Sequence, residues 1–194
     1  RVLRLRPGAP VEVVDGRGHL WEGLLQEKGQ LLLPGSCHTT TPASTPRLGL
    51  AIALVRRGMD EVMRMACELG VDCIQPLKAT RSTPQADYKP ERWQLILKEA
   101  VEQCERLWMP QLLPLTSTGS WWTRPDTSDT LAIATTRLEE LTALDPWLQR
   151  QTPREGNCIW LAIGPEGGWD PQEQAQAIRE GWSPISLSEE ILRS

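Results

Sequence analysis

The chain of 194 residues has no phenylalanine, one tyrosine and only two histidines. His19 and His38 have no partner at metal-site or triad spacing, so neither is assigned to catalysis. The five cysteines, Cys37, Cys67, Cys73, Cys104 and Cys158, include no Cys-x-x-Cys pair. Their odd number and wide spacing exclude a disulfide framework and a zinc ribbon and point to reduced core thiols. No apolar run approaches the roughly 18 residues of a membrane span. The chain as given also lacks the basic-then-apolar pattern of a secretory leader, so a cytoplasmic address with no membrane and no metal is expected. A Gly-x-Gly-x-x-Gly fingerprint and a P-loop are both missing, which excludes a generic nucleotide-binding α/β protein. Positive charge is not in excess either. The net charge of −4 counts against a nucleic-acid partner, because affinity for phosphates comes mainly from Lys and Arg. Locally, however, Arg1, Arg4 and Arg6, and then Arg56-Arg57, gather positive charge.

What is present is typical of a soluble globular protein, with 40% hydrophobic and 24% charged residues. The length allows one core, or a domain of about 150 residues with a small appendage. The nine tryptophans are read as core residues standing where phenylalanine is more usual. Residues 1–35 carry short alternating stretches separated by Pro7-Gly8 and by the turn Asp15-Gly16-Arg17-Gly18, and read as an incomplete small β-barrel. Residues 36–47, rich in Thr, Ser and Pro, read as a linker, although a strand pair of the barrel is also expected there. From residue 48 the pattern is α/β. Strands are expected over 48–55, 73–77, 111–115, 131–135, 159–163 and 184–187, and helices from about 59 to 70, 90 to 106 and 171 to 180. Residues 116–129 look irregular.

The stretch that organises the rest is the strand ending at Ile163 and the turn Gly164-Pro165-Glu166-Gly167-Gly168. Adjacent glycines permit positive φ and let a ligand approach bare backbone, and Asp170-Pro171 supplies an N-cap with proline in the first turn. A second polar loop follows Ser186-Leu187. Both loops lie at strand C-termini, where open parallel sheets bind ligands. Taken alone, the turn reads as an ordinary β–α connection as readily as a ligand cradle. Glu99, Gln103 and Arg106, at i, i+4 and i+7, likewise read as a polar site or as a solvated helical stripe.

The turn through Trp169, the helix after it, Gly181-Trp182, Pro184-Ile185-Ser186-Leu187 and Ile191-Leu192-Arg193 together resemble the closing segment of the RsmE family. This is a family of SPOUT-type RNA methyltransferases with a knotted parallel sheet and helices on both faces. Glu68-Leu69-Gly70-Val71, Thr80-Arg81-Ser82, Glu91-Arg92-Trp93 and the helix Glu99–Arg106 resemble further motifs of it. Val2–Gly8 and the Asp15–Gly18 turn resemble the start of its PUA-like RNA-binding domain. The resemblance covers most of 48–194, the expected methyltransferase domain. Ser188 and Glu190 stand where the family has glycine and a basic residue, and the family continues beyond the position of Ser194, so a truncated C-terminus is expected.

The resemblance implies methyl transfer from S-adenosylmethionine to N3 of a uridine in 16S rRNA, by a homodimer. It implies cofactor contacts at Thr135, Ile163, Gly164, Pro165, Glu166, Gly167, Gly168, Ser186, Leu187, Ser188, Ile191 and Leu192. Arg4, Arg6, Arg81, Arg92, Gln103 and Arg106 are the expected RNA contacts. The matched motifs hold no obvious general base for the weakly acidic N3–H. A guanidinium, Arg193 first and Arg106 or Arg81 next, is therefore expected to stabilise negative charge on the uracil oxygens. Two alternatives are carried: a non-catalytic rRNA-binding module of the same fold, and a SpoU-type ribose 2′-O-methyltransferase.

Overall fold

The computed structural model describes residues 5–33, 35–84, 88–123, 128–136, 138 and 141–188. Arg4, Ile191, Leu192 and Arg193 of the expected sites lie outside these residues. Near the N-terminus, β1 (Pro10–Val14), β2 (His19–Leu25), β3 (Leu31–Leu32) and β4 (Thr39–Thr40) form an antiparallel sheet, with β2 pairing to the other three. Asp15 closes the β1–β2 turn by accepting from the amides of Arg17 at 2.7 Å and His19 at 3.2 Å. β4 lies inside the expected linker. It falls where a strand pair of the barrel was also expected, and so short a strand is fixed by the partner it meets rather than by its own composition. The sheet docks on the rest of the chain through its turn: Gly18 donates to Leu107 O at 2.8 Å, and Met109 donates to Gly16 O at 2.9 Å.

The remaining elements are β5 (Arg47–Ala53), α1 (Met59–Glu68), β6 (Cys73–Lys78), α2 (Pro90–Cys104), β7 (Gln111–Leu112), β8 (Thr116–Ser117) and α3 (Thr118–Trp122). They continue with β9 (Thr130–Ala134), β10 (Thr142–Ala143), α4 (Leu144–Gln149), β11 (Cys158–Ile163), α5 (Pro171–Arg179) and β12 (Ser183–Ser186). The strands form a parallel sheet in the order β10-β12-β9-β11-β5-β6-β7, with β8 also paired to β6. β12 separates β9 and β10, which are consecutive in the chain. No helix among the described residues is long and apolar enough to cross a membrane.

Alternation along the strands sends side chains to both faces of the sheet. Ala51, Ala53, Leu77, Trp160 and Ala162 point to a core shared with Trp121 and Trp122 of α3 and Ala177 of α5. Ile52, Leu54 and Ile74 point the other way, onto Met63 and Ala66 of α1 and Trp93 and Leu97 of α2. Ala132 and Ile185 cover Trp147 of α4. Gly49 is required by this packing, since a Cβ there would lie 2.4 Å from the Trp160 ring. Phenylalanine could not replace every tryptophan. The indole N–H groups of Trp108, Trp160 and Trp169 donate to Thr41 O, Asp129 and Ala134 O, at 2.9, 3.1 and 2.9 Å.

Three expectations are corrected. The strand over 111–115 is cut to Gln111–Leu112, with a separate β8 at Thr116–Ser117, because Pro114 has no N–H for the ladder and its carbonyl instead accepts from Gln75 Nε2 at 2.7 Å. The irregular 116–129 stretch contains α3, opened by Ser117, whose hydroxyl accepts from Ser120 N at 3.4 Å. The helix begun at Pro90 stops at Cys104, because Glu105 turns to φ 56°. Arg106 therefore lies outside the helix, and the Glu99, Gln103, Arg106 face does not exist.

Candidate functional site

Parallel pairing sets the C-terminal ends of β12, β9 and β11 side by side, with Ile185 opposite Ala134 and Ala162 opposite Ile133. Thr135, the turn 163–168 and Ser186-Leu187-Ser188 therefore emerge at one edge. They are held together by contacts that cross the loops. Thr135 donates its amide to Ile185 O at 3.0 Å and its hydroxyl to Gln174 Oε1 on α5 at 3.2 Å. The Trp169 indole donates to Ala134 O, and its ring lies 3.1–3.3 Å from where a Cβ on Gly164 would be. A side chain at 164 would push the turn off this indole. Gly168 takes φ +69° with open space beside it. Ser188, where glycine was expected, is not among the described non-glycine residues with positive φ, which are Lys28 and Glu105.

Arg81 joins this cluster from the loop after β6. Its guanidinium donates to Gly167 O at 3.3 Å and lies 3.6 Å from Asp170 Oδ2. Asp170 is the N-cap of α5, accepting from Gln172 N at 2.9 Å, and Glu173 completes a capping box. Glu173 is 8% exposed. It also accepts from Thr80 N at 2.8 Å and from the Thr118 hydroxyl at 2.5 Å. Glu166 accepts from Arg56 N at 3.1 Å, bringing the loop after β5 to the same edge. A cavity of about 780 Å³ opens alongside, lined by Lys78, Thr80, Ser82, Tyr88, Thr118 and Glu173 among others.

Arg92 stands in the first turn of α2, also at this edge, and is exposed. It donates to Asp60 Oδ2 at 2.6 Å, and this hydrogen bond holds the Asp60 carboxyl below its usual range. Arg106 is elsewhere. It donates to Cys67 O at 2.8 Å, Val71 O at 2.9 Å and Asp72 Oδ1 at 3.0 Å, before the first residue of β6. That is the opposite edge, roughly a strand length of 20 Å away. Arg106 is spent on the end of α1 and does not join the cluster. Gln103, exposed on the last turn of α2, shares that far edge. Arg6 is exposed just before the N-terminal sheet.

Glu173, Gln174 and Trp169 were not among the expected site residues. Asp170-x-x-Glu173 is a capping-box spacing and was the signal for the first of these. Among the described residues no group of three or more His, Cys, Asp or Glu could hold a metal ion.

Residues 42–194 match the family model of the RNA methyltransferase domain, and residues 1–33 match that of the RNA methyltransferase PUA domain. The chain belongs to this RNA methyltransferase family. It is 38% identical, over 202 residues, to the ribosomal RNA small subunit methyltransferase E of Synechocystis sp., a match taking in 100% of the chain and 64% of that relative. The chain thus spans somewhat under two thirds of that relative's length. The ribosomal RNA small subunit methyltransferase E of Neisseria gonorrhoeae, solved bound to S-adenosyl methionine, superposes with a TM-score of 0.79 at 27% identity, covering 98% of this chain and 79% of that one. A protein of Legionella pneumophila, solved in complex with the bound cofactor SAM, gives a TM-score of 0.80 at 25% identity, again covering 98% and 79%. Membership of the RNA methyltransferase family gives the three-loop edge its context.

Proposed function

We propose that this chain is an S-adenosylmethionine-dependent methyltransferase acting on N3 of a uridine in 16S rRNA of the small ribosomal subunit. The observation that carries the reading is the meeting of a glycine turn, two neighbouring loops and an arginine at one sheet edge. The residues suit the cofactor. Bare backbone at Gly168, with open space beside it, offers polar groups without a side chain in front of them, while the lack of a Cβ at Gly164 and Gly167 lets Trp169 and Arg81 close on the turn. Half-buried Ile163 and Leu187, which is 41% exposed, offer apolar surface for a base ring. When bound, S-adenosylmethionine supplies an electrophilic methyl group on a positively charged sulfur. The protein's part is to hold both reactants and to make N3 nucleophilic.

Among the described arginines we assign that part to Arg81. Two of its N–H groups face Gly167 O and Asp170, and a guanidinium has five donors in all. The others can reach the uracil oxygens flanking N3, lowering the acidity barrier as the N3 proton passes to solvent. Arg193 remains part of the reading as the first-named arginine. RNA contact is supported by exposed Arg56, Arg57, Lys78, Arg81 and Arg92 along the same edge, a local positive field on a chain of net charge −4. The base would have to leave its stack to arrive there. The reading extends to a cytoplasmic homodimer and to threading of the C-terminal segment, the latter supported by the insertion of β12 between β9 and β10.

The experiment is calorimetric titration of the chain with S-adenosylhomocysteine, then nucleoside mass spectrometry of small-subunit rRNA incubated with the chain and S-adenosylmethionine. Cofactor binding with 3-methyluridine is the expected outcome. A methylated ribose would select the SpoU-type alternative, and rRNA binding without cofactor binding would select the non-catalytic module.

A further inference from the structure

We infer that Glu173 is a positioning residue that fixes Arg81 over the glycine turn and so acts on transfer through Arg81 rather than through cofactor affinity. The inference rests on the methyltransferase reading above. A glutamate at the third position of a helix completes its capping box with one bond, to the N-cap amide, and can do so at the surface. Glu173 makes that bond, from Asp170 N at 3.2 Å. Yet it is buried, and two further donors from separate parts of the chain converge on its other oxygen: Thr80 N at 2.8 Å and Thr118 Oγ1 at 2.5 Å. Helix capping requires neither.

The Thr80 bond links Glu173 to Arg81. Ala79-Thr80-Arg81-Ser82 is a tight turn, with Ser82 N donating to Ala79 O at 3.1 Å and Ala79 N donating to Ser82 Oγ at 3.2 Å. Thr80 and Arg81 are its two central residues, whose peptide planes can rotate together unless one of them is held. Glu173 holds the Thr80 amide from beneath, and Gly167 O and Asp170 receive the Arg81 guanidinium. One carboxylate thus ties the start of α3, the arginine turn and the cap of the helix that follows the glycine turn. Release of the Thr80 amide lets Arg81 swing while the glycine turn keeps its own contacts with Trp169.

The test is a double-substitution cycle with Glu173→Gln and Arg81→Ala, read by turnover on small-subunit rRNA, S-adenosylhomocysteine affinity and Tm. Glutamine keeps the shape but turns an N–H group toward at least one donor. We expect Glu173→Gln to lower kcat about tenfold to a hundredfold, as a misplaced catalytic group does, with S-adenosylhomocysteine affinity within about twofold. Arg81→Ala added to it should cost less than about twofold more, because coupled residues are not additive. Thr118→Val, which removes one donor with little change of volume, should show a weaker form of the same pattern and serves if Glu173→Gln does not fold. Parallel loss of cofactor affinity and activity, or effects of the two substitutions that multiply, would overturn the inference alone. Absence of transfer by the wild-type chain would overturn the methyltransferase reading and the inference with it.

Discussion

Replacing Arg106 by alanine tests whether this motif arginine is scaffold or site. Its side chain is 17% exposed, and that of its partner Asp72 11%. Cys67 O, Val71 O and Asp72 receive its three shortest bonds, at 2.8 to 3.0 Å. Hydrogen bonds to a charged group contribute about 1.5–3 kcal/mol each, and removing one partner of a buried pair costs about 3–5 kcal/mol. Two circumstances lower the total. Asp72 keeps Leu48 N at 2.9 Å and Ser44 Oγ at 3.4 Å as donors, and water can reach the carbonyls left at the end of α1. A loss of about 3 kcal/mol follows, which for a chain of this size lowers Tm by about 6–12 °C. Thermal unfolding followed by circular dichroism measures it, and calorimetry at 20 °C should find S-adenosylhomocysteine affinity within about twofold of wild type. An unchanged Tm with lost turnover would refute the reasoning and return Arg106 to the catalytic group.

Two further outcomes are expected. Burial pushes the Cys67 thiol up to about 11 from an ordinary value near 9, the neighbouring Cys104 adding to the effect and Arg106 opposing it. The folded state then holds this proton more tightly than the unfolded state, so the contribution is complete below about pH 9 and fades as pH rises towards 11. Urea unfolding should show wild type losing about 1–2 kcal/mol more than Cys67→Ala between pH 8 and 10.5, and equal losses would contradict the burial argument. At the other edge, Arg56→Ala with Arg57→Ala should weaken rRNA binding and reduce the slope of log affinity against log salt by about 1–2. A drop in affinity with an unchanged slope would mean these arginines do not meet phosphates.

The strand and turn at 158–168 were legible because several local signals agree there: a β-branched apolar run, paired glycines and an Asp-Pro helix start. Long helices were legible for the same reason, with Met63 and Ala66, then Trp93 and Leu97, falling on one buried face each. The pieces that escaped are short. α3 consists of Thr-Gly-Ser-Trp-Trp, a poor helix former by itself, and owes its shape to the burial of Trp121 and Trp122 against the sheet. α4 was not expected at all and is organised by Trp147 under Ala132 and Ile185. Tertiary packing wrote these elements, and a local pattern could not contain them.

The separation of Arg106 from Arg92 has the same kind of cause. Motif residues along one helix were treated as one surface, but α2 follows a parallel strand and runs back down the sheet. Its 15 residues span about 22 Å, close to the roughly 20 Å that the six residues of β6 cover along the strand direction. Arg92, in the first turn, therefore stands beside the strand C-termini and the glycine turn, while Gln103, in the last turn, stands with Arg106 at the strand N-termini. A polar residue on such a helix can touch a ligand at the loop edge only from the first turns, and the Glu105 kink at φ 56° then turns Arg106 into the end of α1. Sequence proximity to a motif thus placed Arg92 and Arg106 together, and the direction of the helix separates them. The residues that do gather at the edge come from five different strand ends, those of β5, β6, β9, β11 and β12, which is why Arg81 and Glu173, 92 positions apart in the chain, are joined through a single backbone amide.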